Sequence, residues 1–512
     1  MISLKGEMNL MKKNLLLLPI IACLGLASSC TGTDTSIASV TASDSETSVS
    51  VENTSEEDTS EVVADNFITE PTTIEFVVKT GKDNAALIDD YVAGFEKTEP
   101  NVTVNVTAIS GSYTDVHTKI INGITIGDYP DLTVCYPDHV ADYMSYNKVV
   151  NIQNYIDNDE YGWTADDRED MIDAFVTPGA EYSMPGTYSV PFSKSTEALF
   201  YNKDALLGIT LPGVNNGQVI NEHYMNNLTW EELMDNFCPA IMTYNETTPI
   251  LTTSETTSNN GILGYDSEAN LFITLLEQYG YDYTTLDQIT GEASVDFNTP
   301  KVKALAAKFN AYAKEHYIVG GKANGNSGYC SAYFQANNIL MNVGSTGGLT
   351  YEYTKDFNIG VAPIPQAAGS EANKTISQGP DICLLDHNDS NRELASWLFY
   401  KYLTNTDNSI DWATNSTGYM PVRQSCYDNE DYIELNDISE QTEKTEDMLR
   451  ALVSHYGEAV SDETFTSPAF KGSTTCRDAV QGLMEEIMTF STETSSFDDM
   501  FNSAVTDCLK AM

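Results

Sequence analysis

Hydrophobic residues in the first part of the chain alternate with polar ones in some segments and recur at helical spacing in others. Residues 73–79, 102–108 and 131–135 are short β-branched or apolar runs that predict strands. Between these runs, apolar residues three or four positions apart predict helices over 84–97 and 117–127. This β-α-β-α-β order predicts an open parallel sheet with helices on both faces, and such sheets bind ligands at the carboxyl ends of their strands.

Strand and helix patterns continue to alternate along the rest of the chain, which indicates an α/β fold class. Thr229 precedes the next helix as its cap, with Glu232 three residues later as a capping-box partner. Further strands are predicted at 339–343 and 357–362, and further helices at 301–316, 393–403, 477–490 and 497–509.

The first thirty residues have the pattern of an export signal. Three lysines precede an apolar run over 15–27, which is shorter than the ~20 residues needed to cross a bilayer. We therefore predict a secretory signal peptide over 1–29. Small residues then lead to Cys30, which resembles the lipobox of bacterial lipoproteins, although Ala27 stands where that motif usually has Leu. The resemblance implies that Cys30 carries a lipid, which would anchor the protein at the extracellular face of the cytoplasmic membrane.

The next segment and the overall charge limit the partners that the chain can have. Residues 31–70 contain no Lys or Arg and consist mainly of Ser, Thr, Asp and Glu, so we predict a disordered tether over 30–71. The whole chain has 26 Lys and Arg against 75 Asp and Glu, a formal net charge of −49. Such a surface repels nucleic acid, so we expect no nucleic-acid partner. Small neutral or cationic ligands remain compatible with it.

The cysteines and acidic loops give no sign of a metal or redox site. Seven cysteines follow Cys30 without any C-x-x-C pair, so neither a zinc site nor a dithiol is predicted, and we expect mostly buried thiols. Residues 157–162 are similar to the start of a calcium loop, but Arg168 occupies the twelfth position, where a bidentate Glu is required. We predict no metal and no cofactor.

Four motifs occur in an order that resembles a known family. Residues 188–205 combine Pro-Phe, a small polar run and Tyr-Asn-Lys-Asp, and residues 228–233 read Leu-Thr-Trp-Glu-Glu-Leu. Residues 334–365 contain a Gly-Ser turn, a Phe-x-Ile-Gly strand and a closing Pro, and residues 417–423 begin Thr-Gly-Tyr-Met-Pro. In this order they resemble the extracellular solute-binding proteins of ABC importers, in the family (family 1) that handles oligosaccharides and glycerol-3-phosphate.

The resemblance implies a two-lobe fold of the periplasmic-binding-protein type (type II), in which open sheets flanked by helices are joined by three crossing segments. A length of 512 residues suits two lobes. By analogy, the crossings are expected near 191–195, 340–344 and 377–379. The lobes would then comprise 72–192 with 345–376, and 196–340 with 380–512. A monomer that delivers its ligand to the transmembrane subunits of a permease is implied as well.

The resemblance also directs attention to the cleft between the lobes. A sugar presents apolar faces to aromatic rings and hydroxyl groups to side chains that both donate and accept hydrogen bonds. Residues after predicted strands, on the crossings, in the Gly-rich turn or in the Thr-Gly-Tyr element are therefore the candidate ligand-binding residues. These are Tyr113, Tyr136, Asp138, Ser193, Lys194, Ser195, Ser345, Thr346, Gly379 and Tyr419.

Alternatives remain open at this level. Neutral oligosaccharide is the first candidate ligand, and a phosphorylated polyol such as glycerol-3-phosphate is the second, with Lys194, Arg423, Arg477 or the turn at Ser345 as anion-binding groups. A carbohydrate-active hydrolase is the rival from another class. The chain has no Gly-x-Ser-x-Gly or His-Glu-x-x-His motif, but a two-carboxylate glycosidase needs no short motif. The resemblance favours a binding protein that is not an enzyme.

Overall fold

A computed structural model describes residues 67–81, 84–252, 260–326, 328–370, 373–416, 418–437 and 445–512. The strands are β1 Thr72–Lys79, β2 Val102–Ile109, β3 Leu132–Cys135, β4 Val190–Pro191, β5 Glu197–Asn202, β6 Leu263–Tyr265, β7 Thr284–Leu286, β8 Ala293–Val295, β9 Ile318–Gly320, β10 Met341–Ser345, β11 Ile359–Ala362, β12 Thr375–Ile376, β13 Asp381–Leu384 and β14 Thr464–Phe465.

The helices confirm most of the periodic segments predicted from the sequence. They are α1 Ala85–Thr98, α2 Tyr113–Ile126, α3 Pro137–Met144, α4 Gln153–Ile156, α5 Ala165–Asp170, α6 Asp173–Val176, α7 Lys203–Leu206, α8 Glu222–Met225, α9 Cys238–Thr247, α10 Glu268–Gln278, α11 Pro300–Lys314, α12 Ser331–Gln335, α13 Leu349–Glu352, α14 Ser390–Leu403, α15 Thr406–Asn415, α16 Gln424–Tyr427, α17 Glu430–Leu435, α18 Glu446–Val460, α19 Ser473–Ile487 and α20 Phe497–Ala511. None of these helices is both long enough and apolar enough to cross a membrane.

The first lobe is built on a five-stranded sheet with the order β2-β1-β3-β13-β4. Strands β1, β2 and β3 are parallel, as predicted, whereas β13 runs antiparallel to both β3 and β4. Helices α1, α2 and α14 pack against these strands. The rings of Phe76, Phe95 and Phe399 meet in the core with centroid separations of 5.6 and 5.1 Å, and such buried aromatic contacts dominate core energetics.

The second lobe is built on a sheet with the order β11-β5-β10-β6-β9. Strand β5 is antiparallel to its two neighbours, and β10, β6 and β9 are parallel. Alternate residues of β5 belong to different hydrophobic clusters, with Leu199 and Tyr201 in one and Ala198 and Phe200 in the other. Because successive strand residues point to opposite faces, both faces of this sheet are covered, which confirms the α/β class.

The sheets correct the predicted lobe boundaries in two places. Strand β11 pairs with β5, so the segment 345–376 belongs to the second lobe and not to the first. Strand β13 pairs with β3, and the segment that follows it packs in the first core as far as Tyr432. Residues 380–435 therefore belong to the first lobe, and the chain returns to the second lobe from α18 onward. One later residue, Ala469, still packs in the core of the first lobe. Both errors have one physical cause, because strand partners far apart in sequence cannot be identified from local patterns.

Two of the expected crossings connect the sheets, and one expected crossing does not. Residues 192–196 join β4 to β5, and residues 377–380 lead from β12 to β13. They run side by side, because Ser195 and Gln378 exchange backbone hydrogen bonds of 2.9 and 2.7 Å. The segment 340–344 is instead the centre of the second sheet, where β10 lies between β5 and β6. The chain changes lobe again between Tyr432 and Leu449.

The predicted signal peptide over 1–29, Cys30 and most of the predicted tether over 30–71 lie outside the described residues. The described chain begins at Phe67, whose ring packs 6.0 Å from that of Tyr161. Ile68 is fully buried, and Asn101 donates a 2.8 Å hydrogen bond to its carbonyl. These contacts make residues 67–71 part of the first lobe and not of the tether. The sequence explains the difference, because the apolar pair Phe67-Ile68 interrupts the polar composition that predicts a tether.

The seven cysteines of the described chain confirm the expectation of buried thiols. None is in a disulfide, and all of them are buried. They are Cys135, Cys238, Cys330, Cys383, Cys426, Cys476 and Cys508.

Candidate functional site

Three tyrosines of the first lobe come together at the carboxyl edge of its parallel strands. Tyr113 begins α2 just after β2, and Tyr136 lies between β3 and α3. Their ring centroids are 4.7 Å apart. The hydroxyl of Tyr419, which follows α15, lies 3.2 Å from that of Tyr113. The prediction placed each of them near the cleft separately, and the structure joins them into one group, the tyrosine cluster.

The backbone around the tyrosine cluster explains why these side chains are presented there. Ser112 caps α2, since its hydroxyl accepts from the Asp115 amide and the Asp115 carboxylate accepts from the Ser112 amide. This reciprocal cap fixes the first turn of α2, which carries Tyr113. Tyr136 is the N-cap residue of α3, so the same strand-to-helix geometry presents it. Asp138 is therefore not the helix cap, but lies in the first turn of α3 and accepts from the His139 amide at 3.1 Å.

Burial keeps the phenols of the tyrosine cluster protonated. It raises the pKa of Tyr113 well above 10, and the neighbouring Tyr419 and Tyr136 hydroxyls add to the shift. Burial likewise raises the pKa of Tyr136 and of Tyr419. Each phenol can then both donate and accept a hydrogen bond at neutral pH, which is what recognition of a hydroxyl-rich ligand needs.

The second lobe faces the tyrosine cluster with a glycine-rich turn and two exposed tyrosines. A Cβ atom on Gly347 would stand 3.0 Å from the Tyr419 ring and 3.3 Å from the Ser195 Cβ, so a glycine is what permits this close approach. Tyr351 adds to the rise in the pKa of Tyr419, and Tyr329 adds to that of Tyr136, so both lie near the cluster. Their exposed fractions are 69% and 71%. Neither tyrosine is among the predicted site residues, although each closely follows a glycine-rich stretch, which is the signal that could have found them.

Some of the candidate hydroxyls lie beside the Gly347 turn, and others are buried within the protein. Ser345 donates a 3.4 Å hydrogen bond to Ser195, and both lie beside the Gly347 turn. Thr346 is fully buried, and its hydroxyl accepts from the Thr196 amide at 3.1 Å, so it braces the turn. Ser193 is buried on the first crossing, and its hydroxyl has no hydrogen-bond partner among the described residues. Ser195 and Ser345 are thus two hydroxyls beside the turn that approaches Tyr419.

Two candidates on the crossings have structural partners. The Lys194 ammonium is buried and lies 2.8 Å from Asp381, whose other carboxylate oxygen accepts from Ser189 at 2.8 Å. This pair neutralises the charge of Lys194 within the first lobe. Gly379 has a φ of +81°, and a Cβ there would stand 2.3 Å from the Ser193 carbonyl oxygen. Only glycine lets the two crossings pass at this distance.

Two cations remain close to the tyrosine cluster. The other four arginines of the chain contact carboxylates, whereas Arg477 of α19 donates to the side-chain amide oxygen of Asn270. Arg477 is close enough to Tyr136 to oppose the rise in its pKa. The Lys79 ammonium lies 5.1 Å from the centre of the Tyr113 ring, and burial lowers its pKa. Arg423, by contrast, is bound to Asp167 and Asp170.

Elsewhere, the described residues contain no group of three or more His, Cys, Asp or Glu side chains placed to hold a metal ion. A surface cavity of about 550 Å³ lies within the first lobe beside Tyr155 and Glu393, and another of about 580 Å³ lies beside α9. Neither is lined by a residue of the tyrosine cluster.

Comparison with known proteins identifies the family and the fold. The family model described as bacterial extracellular solute-binding protein matches residues 90–439, more than half of the chain. The chain belongs to the bacterial extracellular solute-binding proteins. A search of curated sequences gave no match for this solute-binding protein.

Solved structures of low sequence identity share the fold of this solute-binding protein. UgpB from Mycobacterium tuberculosis, in complex with glycerophosphocholine, is 16% identical with a TM-score of 0.63, over 86% of this chain and 98% of that one. The cyclic α-maltosyl-1,6-maltose binding protein from Arthrobacter globiformis is 18% identical with a TM-score of 0.62, over 86% and 99%. Lmo0181 from Listeria monocytogenes, in complex with cycloalternan, is 15% identical with a TM-score of 0.62, over the same shares.

Proposed function

We propose that this solute-binding protein captures an oligosaccharide between its two lobes and delivers it to the transmembrane subunits of an ABC importer. The observation that carries the proposal is the tyrosine cluster of Tyr113, Tyr136 and Tyr419, which the Gly347 turn of the other lobe approaches closely and near which Tyr329 and Tyr351 lie. Aromatic rings on both sides suit the apolar faces of a sugar, and phenols suit its hydroxyls. Similar proteins that bind cyclic α-maltosyl-1,6-maltose and cycloalternan support the proposal.

The crossings provide the means of capture. The two adjacent segments 192–196 and 377–380 connect the sheets through few residues, which suits rotation of one lobe about the other. A ligand favours the closed arrangement only if it binds that arrangement better than the open one. Contacts with tyrosines of both lobes supply this difference in affinity, because a ligand bound to the first lobe reaches the tyrosines of the second lobe only on closure. The permease could then distinguish the loaded protein, which acts as a monomer, from the empty one.

A phosphorylated polyol is the second candidate ligand, because one observation favours it. Among the described residues, no carboxylate forms an ion pair with Arg477, which lies near Tyr136, and Lys79 lies over Tyr113. Cations of this kind bind phosphate, and the similar UgpB was solved with glycerophosphocholine. The net charge of −49 disfavours the attraction of anions over distance, so oligosaccharide remains first.

A thermal-shift screen with monosaccharides, oligosaccharides and glycerol phosphates tests the choice. A ligand at 100 times its Kd stabilises the folded protein by about 2.7 kcal/mol. We expect oligosaccharides to raise the melting temperature and glycerol 3-phosphate to leave it unchanged. Stabilisation by glycerol phosphates alone would replace the first candidate with the second, and no shift with any of them would remove both.

We also propose that the bound sugar is returned unchanged. Incubation of a stabilising oligosaccharide with the protein, followed by chromatography, is expected to recover the intact compound. Accumulation of shorter sugars, in proportion to protein concentration, would instead indicate a carbohydrate-active hydrolase.

The location of the protein follows in the same proposal. Family membership makes it an extracellular protein, and we propose that a lipid on Cys30 holds it at the cytoplasmic membrane after removal of residues 1–29. The tether over the following residues would let the lobes move while they stay near the permease. In cells that express Cys30→Ala, we expect the protein in the medium. Full retention at the cell surface would contradict the lipid anchor.

A further inference from the structure

A carboxylate of the first lobe reaches the start of a long helix of the second lobe. Asp142 of α3 accepts hydrogen bonds of 3.1 Å from the Gly472 amide and of 3.1 Å from the Thr474 hydroxyl. Helix α3 packs in the core of the first lobe, and α19 packs in the core of the second. These two bonds therefore join the lobes directly, outside the crossing segments.

The contact lies at the start of a helix that has no side-chain cap. The first amides of a helix have no partner within the helix and are usually satisfied by the side chain of the N-cap residue. The N-cap of α19 is Gly472, which has no side chain, and its φ of +91° disfavours any other residue. A Cβ there would also stand 2.7 Å from the backbone of Ala511. Asp142 supplies an acceptor from across the junction, which binds the amide of the N-cap residue Gly472 and the hydroxyl of Thr474 in the first turn.

The surroundings of Asp142 keep its carboxylate charged. His117 lies 3.2 Å from the carboxylate and stacks on His139 with ring centroids 4.6 Å apart. Burial opposes ionisation, but the nearby His117 and the hydrogen bonds from Gly472 and Thr474 together lower the pKa of Asp142 below its usual value. A negative charge at a helix N-terminus is also favoured by the helix dipole.

We propose that Asp142 is a positioning residue that clasps the two lobes through the N-terminus of α19 and so sets how readily the cleft closes. Arg477 lies one turn into the same helix and is near Tyr136. The clasp therefore holds the start of the helix that carries Arg477, although Asp142 is not among the residues expected to touch the ligand. The importance of closure for capture rests on the proposed function, but the clasp itself does not.

Hydrogen exchange of the mature protein, measured without any ligand, tests the clasp. In Asp142→Ala we expect the amides of residues 470–476 to exchange about 10-fold faster, because hydrogen bonds to a charged group are lost. The matched control is Asp389→Ala. Asp389 caps α14 by accepting from the Asn391 and Arg392 amides within the first lobe. That variant should speed exchange at the start of α14 and leave 470–476 unchanged.

A second variant approaches the clasp from the opposite lobe. Thr474→Val removes one donor to Asp142 and should increase exchange in α3, which a purely local effect on α19 would not do. Combined with Asp142→Ala, it should add little further change, because both substitutions remove the same contact. The proposal would be overturned if Asp142→Ala left the amide exchange of residues 470–476 unchanged, or if Thr474→Val left the amide exchange of α3 unchanged. Because no sugar is used, these outcomes are independent of whether the proposed ligand binds.

Discussion

The two lobes present their tyrosines to the cleft in different ways. In the first lobe, Tyr113, Tyr136 and Tyr419 are partly buried and contact one another. In the second lobe, Tyr329 and Tyr351 are 71% and 69% exposed. Side chains that are already ordered lose little freedom when a ligand arrives, whereas exposed side chains have to be immobilised.

The charged groups of the lobes show the same contrast. Lys194 of the first crossing is buried in an ion pair with Asp381, which stands in the first sheet. Glu197, three residues later in the second sheet, is buried with neutral donors, since Tyr265 and Asn270 both donate to it. If the proposed function is correct, the first lobe presents a preformed half-site on a fixed frame, and the second lobe completes the site. Four predictions test this contrast, in order of decreasing effect.

The largest expected effect comes from breaking the ion pair of the first crossing. Lys194→Met leaves Asp381 buried without its partner, which should lower the free energy of unfolding by about 3–5 kcal/mol. Urea denaturation measures the change. The double variant Lys194→Met with Asp381→Leu should recover part of the loss, because no unpaired charge remains. A loss below about 1 kcal/mol in the single variant would show that the pair is solvated and that the frame of the first lobe is not fixed by it.

Glu197 should give the second lobe a pH-dependent stability. Burial raises the pKa of Glu197 from 4.5 to about 7, against the opposing hydrogen bonds from Tyr265 and Asn270. The folded protein then keeps a proton that the unfolded chain releases, so this stabilisation is fully present below pH 4.5 and is lost as the pH rises to about 7. Compared with Glu197→Gln by urea denaturation, the wild type should lose stability across that range. Parallel pH profiles of the two proteins would contradict the shift.

Removal of a first-lobe tyrosine should affect both folding and binding. Tyr419→Ala removes the contact with Trp412 and the hydroxyl pair with Tyr113, so we expect a loss of about 1–2 kcal/mol in stability. Affinity for the oligosaccharide found by the thermal-shift screen should fall about 3- to 10-fold, as measured by calorimetry. An unchanged Kd would remove Tyr419 from the site.

Removal of a second-lobe tyrosine should affect binding alone, with the smallest effect of the four. Tyr351→Ala should change the free energy of unfolding by less than about 0.5 kcal/mol, because the side chain is exposed. Its Kd for the same oligosaccharide should rise about 2- to 5-fold. Tyr146→Ala, another exposed tyrosine, is the matched control and should leave the Kd unchanged. Equal losses of stability in Tyr351→Ala and Tyr419→Ala would erase the contrast between the lobes.

Local patterns were sufficient for much of the fold. The predicted helix over 84–97 is Ala85–Thr98, because its apolar face is read from spacing alone. The predicted helix over 117–127 begins earlier, at Tyr113, because its first turn is polar and is fixed by the Ser112–Asp115 cap. The segment 340–344 was misassigned as a crossing, because a short apolar run followed by glycine is a pattern that a crossing segment and a central strand share.

The candidate site residues were predictable where they follow strand ends or belong to a family motif, as Tyr419 does. Tyr113 and Tyr136 stand just after parallel strands, so their convergence could be expected. The chemistry of Lys194 depends on Asp381, which is 187 residues away, and no local signal reveals that partner. Tyr329 and Tyr351 were missed for a related reason. Only the packing of the second lobe against the first brings these exposed tyrosines near the tyrosine cluster, and local sequence does not reveal that packing.

The burial of every thiol in the described chain has a practical consequence. Maleimide dyes react with accessible thiolates, and burial in apolar surroundings suppresses that reactivity. A single cysteine introduced at position 351 would therefore be labelled selectively within these residues. Placed where the second lobe meets Tyr419, such a dye would convert closure into a fluorescence change, so that the protein could serve as an optical sensor for the solute it carries.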